Sequence, residues 1–298
     1  MGMGKELAKN FPSARRVFEE ANDSLGFDLA GLCYEGPEDE LVKTTNTQPA
    51  ILTFSVACLE VLKEQGLQPH VAAGLSLGEY SALVAADSLK FDEAVKLVRK
   101  RGQYMQEAVP LGRGTMAAII GLDRDEVLRL CREGSRWGVV EPANFNCPGQ
   151  IVIAGEVEAV ERAVALAKEA GAKRAVVLPV SAPFHCSLIR PAGVKLAEEL
   201  AATDLSDAEL PVMANVSARY IRRKDDIEVA LINQVSSPVL WEDSVREMLK
   251  DGVDRFVEVG PGRSLSAFIK KIDREVPVAN VEDIQSLEKV LDSWERGC

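Results

Sequence analysis

The sequence predicts an α/β protein: a large domain built on a parallel sheet, carrying a smaller inserted βαββαβ unit. Three observations predict it. Apolar runs of strand length alternate with amphipathic helical stretches along the chain. The stretch "VAAGLSLGEYSALVAA" (71–86) passes from an apolar run through a glycine-flanked serine into a helix-forming run. Hydrophobic residues make up 47% and charged residues 27% of 298 residues, enough to bury one large core and too apolar for wholesale disorder.

Element by element, "QPAILTFSVACLEVLKEQG" (48–66) repeats apolar residues at helical spacing and stops at Gly66, a C-cap residue. "HVAAGLS" (70–76) reads as a short buried strand and "GEYSALVAA" (78–86) as the helix after it. "FDEAVKLVRKRGQYMQEAV" (91–109) makes a longer helix that ends at Pro110. After a composition break at "PLGRGT", residues 115–181 read strand (115–122), helix (123–134), strand (139–146), strand (149–156), helix (157–171) and strand (175–181). That is the ferredoxin-like order. It places an insertion at 113–185 between two parts of the large domain, 1–112 and 186–298. Beyond residue 190 helix and strand alternate again, with "PVMANVS" (211–217) and "RFVEVGPG" (255–262) as the strands. There is no internal repeat and no low-complexity segment.

Composition narrows the function classes. Asp plus Glu number 46 against 35 Lys plus Arg, a formal net charge of -11 that disfavours nucleic-acid binding. An acidic protein partner needs a local basic patch. No apolar run approaches the roughly 18 residues that span a bilayer, and the opening "MGMGKELAKNFPSARR" has no apolar core of a signal peptide, so a cytoplasmic protein without membrane contact is expected. The six cysteines (Cys33, Cys58, Cys131, Cys147, Cys186, Cys298) lack C-x-x-C spacing and read as reduced thiols; with two histidines a zinc site has few ligands to draw on.

"GLSLG" fits G-x-S-x-G, and a strand before and a helix after it would push the Ser76 hydroxyl outward, beneath the helix N-terminus. Backbone N–H groups there can hold an oxyanion; the alternative reading is a tight turn and nothing more. A serine nucleophile needs a base, and only His70 and His185 are available. His70 precedes Ser76 in the same strand, roughly 20 Å away at about 3.3 Å per residue, and reads as a surface residue at the strand start. His185, in "PVSAPFHCSL", lies where the insertion returns to the large domain, a junction that can border a cleft; its other reading is a capping or core histidine. In "KLVRKRGQYMQEA" Lys96, Arg99, Lys100 and Arg101 crowd together, as a solvated face does. Yet Gly102 after Arg101 admits another backbone, and Met105 lies one helical turn on, as in a lined pocket. An inward arginine there calls for a carboxylate.

Taken together, "TNTQPAILTFSVA", "GLSLGEYSALVAA", "RGQYMQEAVP", "GTMAAIIGL", "NFNCPGQIVIAG", "PVSAPFHCSL" and "VEVGPGRSL" resemble the malonyl-CoA:acyl carrier protein transacylases of fatty-acid synthesis. The resemblance runs through nearly the whole chain and implies an α/β-hydrolase-like large domain. It implies that Ser76 carries the acyl group, that His185 is the base, that Arg101 pairs with the malonyl carboxylate, and that the Gln234 backbone carbonyl orients His185. The Leu77 N–H would steady the oxyanion, Phe184 would crowd out an α-methyl branch, and Asn144 and Asn146 of N-F-N would lie near the cleft, although β-turn chemistry accounts for those two equally. The partners implied are malonyl-CoA and acyl carrier protein, with a monomer expected and no cofactor, because the CoA thioester is itself the substrate. Two departures accompany it. Members begin with a strand ending in G-Q-G-x-Q, whose glutamine supplies one oxyanion N–H, and this chain starts after that motif. Position 75 is Leu where many members carry His, which changes the polarity beside the serine. A serine thioesterase or hydrolase, and an inactive truncated homologue, are the alternatives.

Overall fold

The computed structural model describes residues 1–180 and 182–295, so Ser181 and Cys298 lie outside the described residues. The chain opens with four short helices, α1 (Lys5–Asn10), α2 (Pro12–Leu25), α3 (Leu29–Glu35) and α4 (Glu38–Leu41), followed by the long α5 (Thr44–Glu64). α5 begins four residues ahead of the start its apolar pattern gives and carries Pro49 inside it. Its core residues, among them Leu52, Phe54, Val61 and Leu62, are buried against α2 and α7 (Phe91–Glu107) in the largest hydrophobic cluster.

The strand before the serine is shorter than expected: β1 is Ala72–Ala73 alone, and His70 lies exposed ahead of it. β1 pairs in parallel with β6 (Val212–Ala214), and α6 (Gly78–Ala85) follows the serine. The strands of this part do not form a single parallel sheet. β7 (Arg219–Ile221) returns antiparallel on β6, because the few residues between them turn in a hairpin, with Ala218 at φ 49, and cannot make the long crossover that parallel pairing needs. β8 (Phe256–Val259) and β9 (Val278–Val281) form a separate parallel pair. Helices α10 (Arg190–Ala201), α11 (Lys224–Gln234), α12 (Trp241–Lys250), α13 (Ser264–Ile272) and α14 (Ile284–Glu295) complete this part. Among the described residues no helix is long and apolar enough to cross a membrane.

Between α7 and α10 lies a four-stranded antiparallel sheet of β2 (Gly114–Ile120), β3 (Val140–Cys147), β4 (Gln150–Glu156) and β5 (Arg174–Val177), in the order β3-β4-β2-β5, with α8 (Arg124–Gly134) and α9 (Val157–Glu169). Both faces of this sheet are apolar, and the two-residue period of a strand sorts them. Ala117, Ile119, Ile151 and Ile153 face the cluster under α8 and α9. Met116, Val152 and Ala154 face a second cluster with Ala143 and Cys186, where Phe184 and Leu188 also pack. That second face therefore anchors the segment leading into and out of His185. β3 also reaches the large part through Phe145 N donating to the Val239 carbonyl at 2.9 Å.

Candidate active site

The turn around Ser76 is built by the absence of side chains. A Cβ on Gly74 would stand 2.1 Å from the Gly78 carbonyl carbon, so the two glycines of the motif pack backbone on backbone. Ser76 sits at φ 53, a left-handed conformation that a residue with a Cβ rarely adopts and that the surroundings must hold. Asn215, buried just after β6, does so: Ser76 N donates to its Oδ1 at 2.6 Å while its Nδ2 donates to the Gly74 carbonyl at 2.7 Å.

His185 is buried and is likewise left-handed, at φ 61. Its Nε2 lies 2.7 Å from Ser76 Oγ and its Nδ1 2.8 Å from the Gln234 backbone oxygen. A carbonyl only accepts, so Nδ1 carries the hydrogen and the neutral ring presents Nε2 as an acceptor to the serine hydroxyl. Burial and then the Arg101 charge pull the imidazole down to about 4, against the opposing hydrogen bonds from Gln234 and Ser237, so the ring is neutral at physiological pH.

The basic cluster on α7 divides by face. Lys96 and Lys100 make surface ion pairs with Glu93 and Glu199, and Arg99 lies over the Phe27 ring. Arg101 alone is buried. Its Nη1 donates to Gln48 Oε1 at 2.8 Å, and its Nη2 to Gln234 Oε1 at 3.0 Å and to Ser76 Oγ at 2.9 Å. Every one of these acceptors is neutral, so the guanidinium reaches the serine with its charge unpaired by any contacting carboxylate among the described residues. Gly102 makes this possible: a Cβ there would meet the Thr44 carbonyl oxygen at 2.8 Å, and without one α5 closes on α7 and brings Gln48 to Arg101.

Leu77 forms the N-cap of α6, and among the described residues no acceptor stands on its N–H. Met105 is buried, with Gln48 Nε2 4.0 Å from its sulfur. Phe184 is half-buried beside His185. Asn144 and Asn146 are buried on β3, and among the described residues neither hydrogen-bonds to Ser76, His185 or Arg101. Leu75 packs with Val71 and Ala73 in the cluster around Trp241, on the apolar side of the turn.

Three site residues carry no signal of their own in the sequence: Gln48, Glu79 and Asn215. Glu79 stands in the first turn of α6 as a surface carboxylate often does, yet it is fully buried. No group of three or more His, Cys, Asp or Glu side chains among the described residues is placed to hold a metal ion. The five described cysteines are buried and unpaired, and burial raises Cys186, next to His185, to about 12, which keeps it a thiol.

Comparison with known proteins places this arrangement. The acyl transferase domain family model matches residues 1–296. The malonyl CoA-acyl carrier protein transacylase of Bacillus subtilis (strain 168) is 49% identical over 294 residues, covering 98% of this chain and 93% of its own length. A solved malonyl CoA-acyl carrier protein transacylase from Clostridium perfringens superposes with a TM-score of 0.97 at 46% identity, covering 99% of this chain and 93% of that one. A malonyl-transacylase solved in complex with a type II polyketide synthase acyl-carrier protein superposes at 0.96 and 46% identity, over 98% of this chain and 95% of that one. The chain, with its serine turn, buried histidine and inward arginine, belongs to the acyl transferase domain family and, within it, to the malonyl CoA-acyl carrier protein transacylases.

Proposed function

We propose that the chain transfers a malonyl group from malonyl-CoA to the phosphopantetheine thiol of acyl carrier protein through a malonyl ester on Ser76. The observation that carries this is the position of Ser76 Oγ, 2.7 Å from the His185 acceptor nitrogen and 2.9 Å from an Arg101 donor. A nucleophile with a base on one side and an unpaired cation on the other suits an acyl group that ends in a carboxylate.

His185 Nε2 takes the Ser76 proton as Oγ attacks the thioester carbonyl, and the Leu77 N–H at the α6 N-terminus steadies the oxyanion. Collapse of the tetrahedral intermediate breaks the C–S bond, and the His185 proton leaves with CoA as its free thiol. The phosphopantetheine thiol then gives its proton to His185 and attacks the malonyl ester, and the returning proton restores Ser76. The Gln234 carbonyl holds the ring in one tautomer throughout. Arg101 pairs with the malonyl carboxylate, for which its guanidinium can exchange the neutral Gln48, Gln234 or Ser76 acceptors. Met105 lines the arginine side of the site, Phe184 crowds an α-methyl branch, and Asn144 and Asn146 border the cleft from β3.

In this reading residues 113–185 are a ferredoxin-like insertion in an α/β-hydrolase-like domain formed by 1–112 and 186–298; the strand order β3-β4-β2-β5 supports it. Acyl carrier protein as acceptor is supported by the relatives' name and by the relative solved with such a partner. We place the chain in the cytoplasm, with no helix among the described residues long and apolar enough to cross a membrane. A serine hydrolase would use the same serine and histidine, but would have no use for Arg101. Radiolabelled malonyl-CoA, with and without acyl carrier protein, tests the proposal: label should appear on the protein alone and pass to the carrier when it is added, whereas free malonate released without acceptor would favour the hydrolase.

A further inference from the structure

The mechanism above leaves a buried carboxyl group unused. Glu79 is completely buried, and its Oε2 accepts twice, from the Asn215 backbone N–H at 3.0 Å and from Gln234 Nε2 at 2.8 Å. Its Oε1 is also buried and has no hydrogen-bond partner among the described residues. A carboxylate withdrawn from water this far is unfavourable unless its contacts need it.

The two groups it holds are those that hold the reacting residues. Asn215 accepts from Ser76 N. The Gln234 side chain donates to the Ser76 carbonyl at 2.9 Å and accepts from Arg101, while the Gln234 backbone oxygen faces His185 Nδ1. We propose that Glu79 is a positioning residue for acyl transfer: by binding Asn215 and Gln234 with one carboxylate oxygen, it locks the serine turn, the histidine acceptor and the arginine into one arrangement. The inference rests on Ser76 being the residue that is acylated.

The chemistry requires the ionised form. Arg101 only donates and a carboxylate only accepts, so the Gln234 amide between them has a single satisfactory orientation, with Oε1 toward Arg101 and Nε2 toward Glu79. A protonated Glu79 loses the charge that strengthens both Oε2 bonds, so it holds Asn215 and Gln234 more weakly. The groups facing Glu79 are Arg101 on α7, Asn215 after β6, Gln234 on α11 and, on its own helix, Tyr80, whose hydroxyl burial raises to about 12 and so keeps neutral. Burial lifts the Glu79 carboxyl to about 7 against the hydrogen bonds from Asn215 and Gln234 and the Arg101 charge. The required form is therefore lost as pH falls through about 7, well above the His185 titration at about 4.

Single-turnover malonylation by malonyl-CoA, measured from pH 5.5 to 9 on the wild type, Glu79→Gln and Glu79→Asp with thermal melts alongside, tests this. The wild-type rate should fall about tenfold between pH 8 and pH 5.5; Glu79→Gln should be flat over that window and about tenfold slower at pH 8. Glu79→Asp keeps the charge but draws the oxygens back by one methylene, so it should keep the step at a lower plateau, which provides the test if Glu79→Gln does not fold. A Glu79→Gln profile superimposable on the wild type, or a Glu79→Asp profile with no step, would overturn the role of Glu79. Absence of any wild-type adduct on Ser76 would overturn the functional reading and this inference with it.

Discussion

Arg101 Nη2 donates to Ser76 Oγ at 2.9 Å, so the arginine of α7 and the serine of the β1–α6 turn are in direct contact. A charge that touches the nucleophile is within reach of a carboxylate two carbons beyond the ester carbonyl carbon. On the proposed reaction, the contact that presents the serine would also set selectivity for the acyl tail.

Arg101→Ala should lower malonyl transfer by about 10²-fold while acetyl transfer holds or rises, because only the malonyl carboxylate loses a partner. Arg101→Lys should recover part of the preference, since an ammonium cannot form the planar two-bond pair. The check is the ratio of kcat/KM for malonyl-CoA and acetyl-CoA in each variant; an unchanged ratio would remove Arg101 from substrate binding.

Ser76→Ala should abolish the acyl-enzyme. Mass spectrometry after malonyl-CoA addition should place the adduct on the Ser76 peptide, and the variant should show none. Cys186, the nearest thiol in sequence to His185, is held protonated by burial and should stay unmodified; an adduct mapped there would overturn the assignment.

His185→Ala should reduce transfer by about 10²-fold or more, and His70→Ala, on an exposed residue, should leave it near wild type. Because His185 must be neutral to accept the serine proton and its pKa is lowered to about 4, its contribution persists down through mildly acidic pH and is lost only as pH falls through about 4. A rapid-quench acylation profile of Glu79→Gln, in which the Glu79 step is absent, extended to pH 3.5 should show that lower limb alone, and a limb near 6.5 in that variant would mean that the ring is solvated.

Gly102→Ala should destabilise the protein by about 1–3 kcal/mol, since the added methyl would stand 2.8 Å from the Thr44 carbonyl oxygen and α5 must move away from α7. Gln48 moves with α5, so malonyl transfer should fall more than acetyl transfer. Urea denaturation and the two transfer rates measure both; full stability would mean that the helices separate freely at this point.

What is local to the chain is legible in its sequence. The helices of α7, α8 and α9 and the βαββαβ order of residues 114–177 follow from period and turn residues acting within a few positions. Ser76 stands out by its two glycines, and His185 by elimination from two histidines, through residue chemistry alone. What the sequence leaves open is decided by packing between distant segments. Ser76 and Asn215 are 139 residues apart, and Glu79 and Gln234 are 155 apart; buried polar groups must find partners wherever the fold brings donors and acceptors together, which no local pattern records. Lys96, Arg99, Lys100 and Arg101 look alike as a basic run; the helical period sets Arg101 on the face of Ala94, Val98 and Met105, and the approach of α5 over Gly102 gives it the Gln48 partner that lets it stay buried there. The two-residue length of β1 is set in the same way, by which backbone partner lies alongside rather than by the strand's own residues.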